Sequence, residues 1–313
     1  MLLYKRKEND AAPLAQPDPY IIKDGSRYYI YTTGSKGVHL FSSDQLKTGW
    51  QYDGICLEVP GQRNFWAPSV IKINDKYFMY YSSILDSDMD EHSQRLRIAI
   101  ADSPTGPFCY VKDLLPPFSI DPHVVETESG IYLFYSSNDY ESEFMGTYIL
   151  CDKMLDPYTL EGKPQGIVYP SLEEEIYMRD RFEKGKDWYT IEGAFYFNVG
   201  TTHYLMYSGA NHNNPTYFVG YSVAYGPEDA DLRKLNWQKW PDNKTYSPVL
   251  SSNSNKNVEG LGHNSVIFEE GRYWIVYHAR AVGDLKKYKE DTRCAHIDEL
   301  IIDGPQLTVK VTV

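Results

Sequence analysis

One short segment recurs five times along this chain, and the recurrence constrains the fold more than any other feature of the sequence. Each copy is an apolar, tyrosine-rich run, a polar turn and a second such run, which is the pattern of a β-hairpin. The copies are DPYIIKDGSRYYIYTT, APSVIKINDKYFMYYSS, DPHVVETESGIYLFYSS, EGAFYFNVGTTHYLMYSG and HNSVIFEEGRYWIVYHA, beginning at Asp18, Ala67, Asp121, Glu192 and His263. The turns carry the Gly, Asn and Asp residues that hairpins need. Five hairpins are therefore predicted.

The spacing of the copies indicates how much chain each one organises. The tyrosines that open the second runs are Tyr28, Tyr77, Tyr132, Tyr204 and Tyr273, so successive markers are 49, 55, 72 and 69 residues apart. These lengths suit a four-stranded antiparallel sheet with its connections, and radial repetition of small sheets protects their edges. We predict an all-β protein in which residues 1–313 form one five-bladed β-propeller domain. A two-sheet β-sandwich is the alternative, but it does not explain five copies of one hairpin.

Composition and charge exclude several classes of partner. The chain has 43 acidic and 31 basic residues, a net charge of −12, and no dense Lys/Arg run that could follow a phosphate backbone. No stretch approaches the roughly 18 apolar residues of a membrane helix, and the N-terminus lacks the apolar core of a signal peptide. We expect no nucleic-acid or membrane partner and a cytoplasmic location. The four cysteines are scattered singly, as reduced thiols are.

The first residues of the five copies are chemically unusual. They lie 10, 10, 11, 12 and 10 positions before the marker tyrosines, and four of the five, namely Asp18, Asp121, Glu192 and His263, are ionisable. Because the inner strand of every blade starts near the propeller axis, equivalent positions converge there, and only Ala67 is silent. Clustering like charges raises pKa values and costs stability unless function needs it. We therefore predict a functional site on the axis.

Glycoside hydrolysis is the chemistry that uses such a set. One carboxylic acid protonates the leaving oxygen, while a carboxylate activates water or attacks the sugar. Glu192 and Asp18 are candidates for this pair, and a third carboxylate, Asp121, would raise the pKa of the acid by like-charge repulsion. His263 has two candidate roles, as a ligand of a central metal ion or as a neutral hydrogen-bonding partner.

Nearly the whole chain resembles glycoside hydrolase family 43, from QPDPYIIKDGSRYYIYTT through FWAPSV, SIDPHVV and YTIEGAF to GLGHNSV and YHAR. The resemblance implies a five-bladed propeller and an inverting mechanism. It implies Asp18 as general base, Glu192 as general acid and Asp121 as the carboxylate that tunes the acid and orients the sugar. It further implies that His263 approaches a central metal ion, usually calcium with water ligands. Two more residues would contact the sugar, Arg280 directly and Trp66 by stacking.

The sequence departs from the family pattern at two places. Ser69 stands where many members have an acid, and the acid motif IEGAF has Ala194 where proline is common.

Other functions fit the sequence less well. Retaining propeller enzymes such as invertases require motifs that this chain lacks around Asp18, Asp121 and Glu192. Phosphorylases would need a basic pocket that binds phosphate, and only Arg280 is an obvious candidate residue for it. A sugar-binding propeller without turnover is the non-enzyme alternative.

The substrate is predicted less sharply than the mechanism. We expect an exo-acting α-L-arabinofuranosidase that releases arabinose from arabino-oligosaccharides. The family's β-xylosidases commonly carry a further β-sandwich domain, whereas we expect residues 1–313 to form the propeller alone. A β-xylosidase acting on xylo-oligosaccharides is the second candidate and an endo-arabinanase the third. A calcium ion would be the one cofactor, and a homo-oligomer is left open.

Overall fold

The computed structural model describes residues 1–6, 13, 15–252 and 254–312, and nearly all of the regular secondary structure in this part of the chain is β-strand. Its strands are β1 (Tyr20–Asp24), β2 (Arg27–Thr32), β3 (Val38–Ser43), β4 (Gln51–Leu57), β5 (Gln62–Ile73), β6 (Lys76–Leu85), β7 (Arg95–Ala101), β8 (Cys109–Asp113), β9 (Ile120–Thr127), β10 (Gly130–Asp139), β11 (Gly146–Asp156), β12 (Thr159–Leu160), β13 (Gln165–Val168), β14 (Ile176–Met178), β15 (Trp188–Val199), β16 (Thr202–Gly209), β17 (Phe218–Tyr225), β18 (Gln238–Lys239), β19 (Val258–Glu269), β20 (Arg272–Ala281), β21 (Cys294–Asp303) and β22 (Gln306–Val309). One α-helical turn, α1 (Asp284–Lys287), and two short 3₁₀ turns, Glu91–Ser93 and Glu173–Glu175, complete the elements.

The strands are arranged as consecutive antiparallel meanders. Three of these are separate four-stranded sheets with the orders β1-β2-β3-β4, β5-β6-β7-β8 and β19-β20-β21-β22. The strands between them, β9–β13 and β14–β18, form two further meanders that are joined into one ten-stranded sheet. The join is small, because only Gly146 and Thr147 of β11 pair with Tyr189 and Thr190 of β15, in parallel. Four-stranded sheets of this kind fit the blades of a propeller.

All five predicted hairpins are present, and each has a two-residue turn. The turns lie between β1 and β2, β5 and β6, β9 and β10, β15 and β16, and β19 and β20. In the second hairpin both turn residues, Asn74 and Asp75, have positive φ angles of 49° and 62°. In the fifth, Glu270 and Gly271 do the same with 51° and 76°. Two consecutive left-handed residues match the right-handed twist of the strands that they connect.

Apolar clusters lie between consecutive meanders and carry the packing. Within the described residues there are five of them, joining the first meander to the second, the second to the third, the third to the fourth, and the fourth to the fifth. The remaining cluster packs Val276, Ala295 and Ile297 of the last meander against Ile21 and Ile30 of the first. Each meander is thus covered on both faces, and the last one packs on the first.

The described residues contain no helix with the length and apolar character needed to cross a membrane.

Candidate active site

A backbone irregularity recurs near the start of the inner strands and aims side chains at a common point. Asp18, Ala67, Asp121, Gly193 and His263 all have left-handed φ angles, of 54°, 45°, 55°, 64° and 43°. In the last four meanders the strand register shifts at this residue, as in a β-bulge, so two residues oppose one on the partner strand. A left-handed conformation costs a non-glycine residue about 1–3 kcal/mol and tends to persist where function requires it.

The register corrects the predicted equivalence of Glu192 with Asp18 and Asp121. Glu192 pairs with Ser208 just before the bulge, and Gly193 is the left-handed residue of the fourth meander. Glu192 is therefore equivalent to Trp66, the residue before the bulge of the second meander. The sequence held a trace of this shift, because Glu192 lies 12 positions before its marker tyrosine while the other offsets are 10 or 11. Gly193 takes the strained position without steric cost, so the carboxylate comes from one residue earlier.

At four of these left-handed residues, the N–H group donates to a side chain of the meander packed beside it, which for Asp18 in the first meander is the last meander. Ala67 donates to Thr33 Oγ1 at 2.8 Å, and His263 donates to Ser208 Oγ at 2.7 Å. The other two bonds run from the Asp18 N–H to His278 Nδ1 at 3.1 Å and from the Gly193 N–H to Asp121 Oδ2 at 3.0 Å. Each bond satisfies a donor that the irregular backbone would otherwise leave unpaired and holds one meander to the next.

The predicted residues meet around one cavity of about 350 Å³, which we call the axial cavity. Its lining comprises Asp18, Thr33, Trp66, Glu91, Ile120, Asp121, Tyr177, Glu192, His212, Asn213, Tyr217, His263 and Arg293. The Nδ1 atom of His263 lies 3.4 Å from Asp18 Oδ1 and 3.8 Å from Asp121 Oδ2. The structure thus brings the three predicted carboxylates, the histidine and Trp66 together, as the sequence predicts.

Asp18 is held in its charged form. Burial by itself raises the pKa of this carboxyl, but His263, Arg293 and His278 oppose burial and bring the pKa well below its ordinary value. Arg293 Nη1 lies 3.5 Å from Asp18 Oδ1. His278 Nδ1 is also within 3.3 Å of that oxygen, but it already accepts the Asp18 N–H and so has no proton to offer. We therefore assign the stabilising positive charge to Arg293.

The surroundings of Glu192 and Asp121, in contrast, favour the protonated form of each carboxyl group. Burial and the charge of Asp18 raise the pKa of Glu192 to about 7, although a 2.7 Å hydrogen bond from the Tyr217 hydroxyl works against the shift. Burial and the charges of Glu192 and Asp18 raise the pKa of Asp121 well above its ordinary value. One cavity therefore holds a carboxylate that stays ionised beside carboxyl groups that keep a proton, which is the condition for combined acid and base chemistry.

Several residues of the site, Thr33 among them, were not identified from the sequence. Arg293 and Tyr217 come from the connections β20–β21 and β16–β17, which have no counterpart in the repeat and so gave no signal. His278 did leave one, because it opposes Gly262 at a position where the second to fourth meanders have serine. Its ring stacks on Tyr217 at 5.7 Å and 6°. Gly262 is required there, since a Cβ atom would lie 1.9 Å from the Tyr217 ring.

Arg280, which the resemblance placed against the sugar, is not part of the axial cavity lining. Its guanidinium is buried behind Gly260 and donates a hydrogen bond to the main-chain oxygen of His212, a cavity residue. Arg293 is the arginine that faces the cavity. Arg280 is therefore placed to support the His212 segment, and its contact with the sugar stays a prediction.

The donors near His263 bear on the predicted metal ion. Calcium prefers six to eight oxygen ligands. Among the described residues, no group of three or more His, Cys, Asp and Glu side chains is arranged to hold an ion directly. Because the described residues supply no such direct ligand set, an ion beside His263 would be held mainly through water.

Comparison with known proteins agrees with the class of site that the geometry defines. The model of the family "Glycosyl hydrolases family 43" matches residues 9–303. The chain belongs to this family. It is 26% identical over 298 residues to an extracellular exo-α-(1→5)-L-arabinofuranosidase of Streptomyces avermitilis, an alignment that covers 87% of this chain and 56% of that protein. The chain thus spans little more than half the length of that relative.

A second curated relative and two solved structures extend the comparison. An extracellular endo-α-(1→5)-L-arabinanase of Thermotoga petrophila is 22% identical, with 87% of this chain and 66% of that protein covered. The crystal structure of a thermostable family-43 glycoside hydrolase superimposes with a TM-score of 0.80 and 28% identity, covering 95% and 93% of the two chains. An α-L-arabinofuranosidase structure from Lactobacillus brevis has a TM-score of 0.76, 22% identity and coverage of 96% and 95%, a likeness of fold.

Proposed function

We propose that the chain is an inverting glycoside hydrolase, with Asp18 as general base and Glu192 as general acid. The observation that carries the proposal is the split within the axial cavity, where the pKa of Asp18 is lowered and that of Glu192 is raised. Membership of family 43 supports the same reaction class. A protein that only binds sugars would have no need for two carboxyl groups held in opposite protonation states.

In the proposed reaction, the protonated Glu192 gives its proton to the glycosidic oxygen as the bond to the anomeric carbon breaks. The ionised Asp18 removes a proton from a water molecule, whose oxygen attacks the anomeric carbon from the opposite face. Glu192 ends as a carboxylate and Asp18 as an acid, and proton exchange with solvent restores both. Asp121, whose own pKa is raised by burial and by the charges of Glu192 and Asp18, fixes the Gly193 backbone beside the acid. Its predicted role in tuning the acid stays a prediction.

The five meanders are best interpreted as the blades of one five-bladed propeller. The support is the sequence of apolar clusters, in which every meander packs on the next and the last packs on the first. The left-handed residues then lie at the inner end of each blade, and the axial cavity lies on the central axis.

For the substrate we propose arabino-oligosaccharides, cleaved in exo fashion as an α-L-arabinofuranosidase does. The Streptomyces relative is named an exo-acting arabinofuranosidase and the Lactobacillus structure an α-L-arabinofuranosidase, while the Thermotoga relative is named an endo-acting arabinanase. The endo-arabinanase and β-xylosidase alternatives therefore remain part of the test. A water-coordinated calcium ion beside His263 and a cytoplasmic location stay predictions.

The test is a screen of nitrophenyl α-L-arabinofuranoside, nitrophenyl β-D-xyloside and linear arabinan, each with and without a chelator. We expect the arabinofuranoside to be the best substrate and NMR to detect the inverted anomer of arabinose first. Immediate release of the retained anomer would contradict the base role of Asp18. A preference for the xyloside or for internal cleavage of arabinan would replace the substrate proposal and leave the mechanism standing. Activity that survives chelation would remove calcium from it.

A further inference from the structure

A second cavity adjoins the axial cavity on the far side of Glu192. It measures about 160 Å³ and shares Trp66, Glu91, Ile120, Tyr177, Glu192 and His212 with the axial cavity. The additional lining is a mixture of aromatic and polar side chains, namely His92, Phe118, Asn138, Thr147, Arg181, Trp188 and Thr190. Neither Asp18 nor Asp121 lines this cavity, so Glu192 is the one carboxyl of the proposed catalytic set that faces both spaces.

Two loops from different meanders meet over this cavity. The first, residues 86–94, connects β6 and β7, and the second, residues 179–187, connects β14 and β15. They are bridged where Arg181 Nη2 lies 2.7 Å from His92 Nε2. The opposite ring nitrogen of His92 lies 2.7 Å from Asp90 Oδ1. Asp90 thus accepts from Nδ1, and His92 offers the lone pair of Nε2 to the arginine.

The guanidinium of Arg181 is held in place by aromatic rings as well as by His92. Its central carbon lies 4.7 Å from the centre of the Trp188 ring, 5.3 Å from that of Phe182 and 5.6 Å from that of Tyr177. Trp188 is itself buried and packs against Tyr140. Contacts between a cation and several ring faces fix a planar group whose five N–H donors point in set directions. Arg181 is therefore a pre-ordered donor at the wall of the second cavity.

We propose that the second cavity is the subsite for the leaving group and that Arg181 is the residue that closes it and selects short leaving groups. The inference rests on the proposed function, because a general acid must reach the oxygen that joins the two sugars. With the glycone in the axial cavity, the leaving sugar lies beyond Glu192, where Trp66 offers a ring face and Arg181 offers donors. In this proposal, the bridge between Arg181 and His92 walls off a small space of about 160 Å³ and so limits the length of the leaving group.

The experiment compares kcat/KM for arabinobiose and arabinohexaose in the parent chain, Arg181→Ala, Arg181→Lys and a control, Lys184→Ala. Lys184 is an exposed residue of the same loop and does not line the cavity. We expect the parent and the control to prefer the disaccharide. Loss of a charged hydrogen bond and opening of the wall should raise the hexaose-to-biose ratio of Arg181→Ala by about tenfold or more. Arg181→Lys, which keeps the charge but not the planar stack, should fall between them.

A second variant guards against a general disturbance of the loop. His92→Asn removes the bridge and leaves Arg181, so it should raise the same ratio by a smaller factor. Hexaose-to-biose ratios within about twofold of the parent in both variants would overturn the subsite inference. If the parent cleaves nitrophenyl arabinofuranoside, that failure concerns the inference alone. If the parent cleaves neither nitrophenyl glycoside nor any arabino-oligosaccharide, the proposed function fails, and the inference with it.

Discussion

One buried acid, Glu175, and the three buried acids of the axial cavity have opposite surroundings. Glu175, fully buried, has its Oε1 atom 2.6 Å from the ammonium of Lys239, which is also buried. Its Oε2 atom accepts the main-chain N–H groups of Ser171 and Leu172 at 2.7 and 3.0 Å. Both oxygen atoms of this carboxylate thus accept hydrogen bonds. The pair fastens the segment before β14 onto β18, and so supports Tyr177 at the wall of the axial cavity.

The acids of the axial cavity are not balanced in this way. Asp18, Asp121 and Glu192 share one nearby guanidinium, that of Arg293, which also forms a 2.7 Å ion pair with Asp291. The histidines bring little positive charge, because burial lowers the pKa of His263 and lowers that of His278 to about 3. A buried acid with a complete set of partners serves stability, whereas a surplus of buried acids marks a site where protons are moved.

Replacing Glu192 by glutamine should give the largest effect. The variant keeps the shape of the side chain but has no proton to give, so kcat/KM on arabino-oligosaccharides should fall by about 10²–10⁴. The loss should be smaller for nitrophenyl arabinofuranoside, whose leaving group needs little protonation. The melting temperature should stay level or rise, because one of three crowded acids is neutralised. Normal turnover of oligosaccharides by the purified variant would remove Glu192 as the acid.

Glu175→Gln should show the reverse pattern. The substitution leaves the Lys239 ammonium buried without its counter-charge, a change that typically costs about 3–5 kcal/mol of unfolding free energy. The kcat on nitrophenyl arabinofuranoside should change little at temperatures where the variant is folded. Denaturant unfolding is the measurement, with the exposed neighbour variant Glu174→Gln as its control. Equal midpoints for the two variants would mean that the pair does not carry the stability assigned to it.

The comparison also distinguishes the features that could be predicted from the sequence from those that could not. Turn residues and strand patterns are local signals that predict hairpins. The repeat, and with it the positions of Asp18, Asp121 and His263, could therefore be predicted from the sequence. The one-residue shift at Glu192 was missed, because counting from a tyrosine ignores which residue takes the left-handed conformation. Long-range partners were missed for a different reason. Arg293 reaches the site from a connection outside the repeat, and only folding shows that it meets Asp18.

The pH dependence of activity should follow the raised pKa of Glu192. Because this acid must be protonated, kcat/KM should fall tenfold per pH unit above about 7, while Asp18 stays ionised down to well below pH 3.8. Stability changes in the same direction for Glu192. Its pKa is higher in the folded chain than the ordinary 4.5, so its contribution is present below pH 4.5 and is lost as pH rises through about 7.

The Glu192→Gln variant supplies the control for both measurements. Its melting temperature should decline less than that of the parent between pH 4.5 and 8, because the titrating proton is absent. A parent protein whose kcat/KM is flat from pH 6 to 9, with chemistry rate-limiting, would contradict the raised pKa and with it the assignment of the acid.

The smallest expected effect comes from Thr33, which links the strained backbone to the base. Its hydroxyl donates to Asp18 Oδ2 at 2.6 Å and accepts the Ala67 N–H at 2.8 Å, so Thr33→Val removes both bonds at nearly constant shape. We expect a loss of about 1–3 kcal/mol in unfolding free energy and an upward shift of the pKa of Asp18. Activity at neutral pH should change less than tenfold, since Arg293 still keeps Asp18 ionised.

The neighbouring residue provides the matched control for this last measurement. Thr32 is fully buried, and its Oγ1 has no hydrogen-bond partner among the described residues, so Thr32→Val should be neutral or slightly stabilising. Thr33→Val should move the acidic limb of the kcat/KM profile to higher pH, whereas Thr32→Val should leave it in place. Identical profiles for the two variants would show that the low pKa of Asp18 owes nothing to the Thr33 hydroxyl and is set by Arg293.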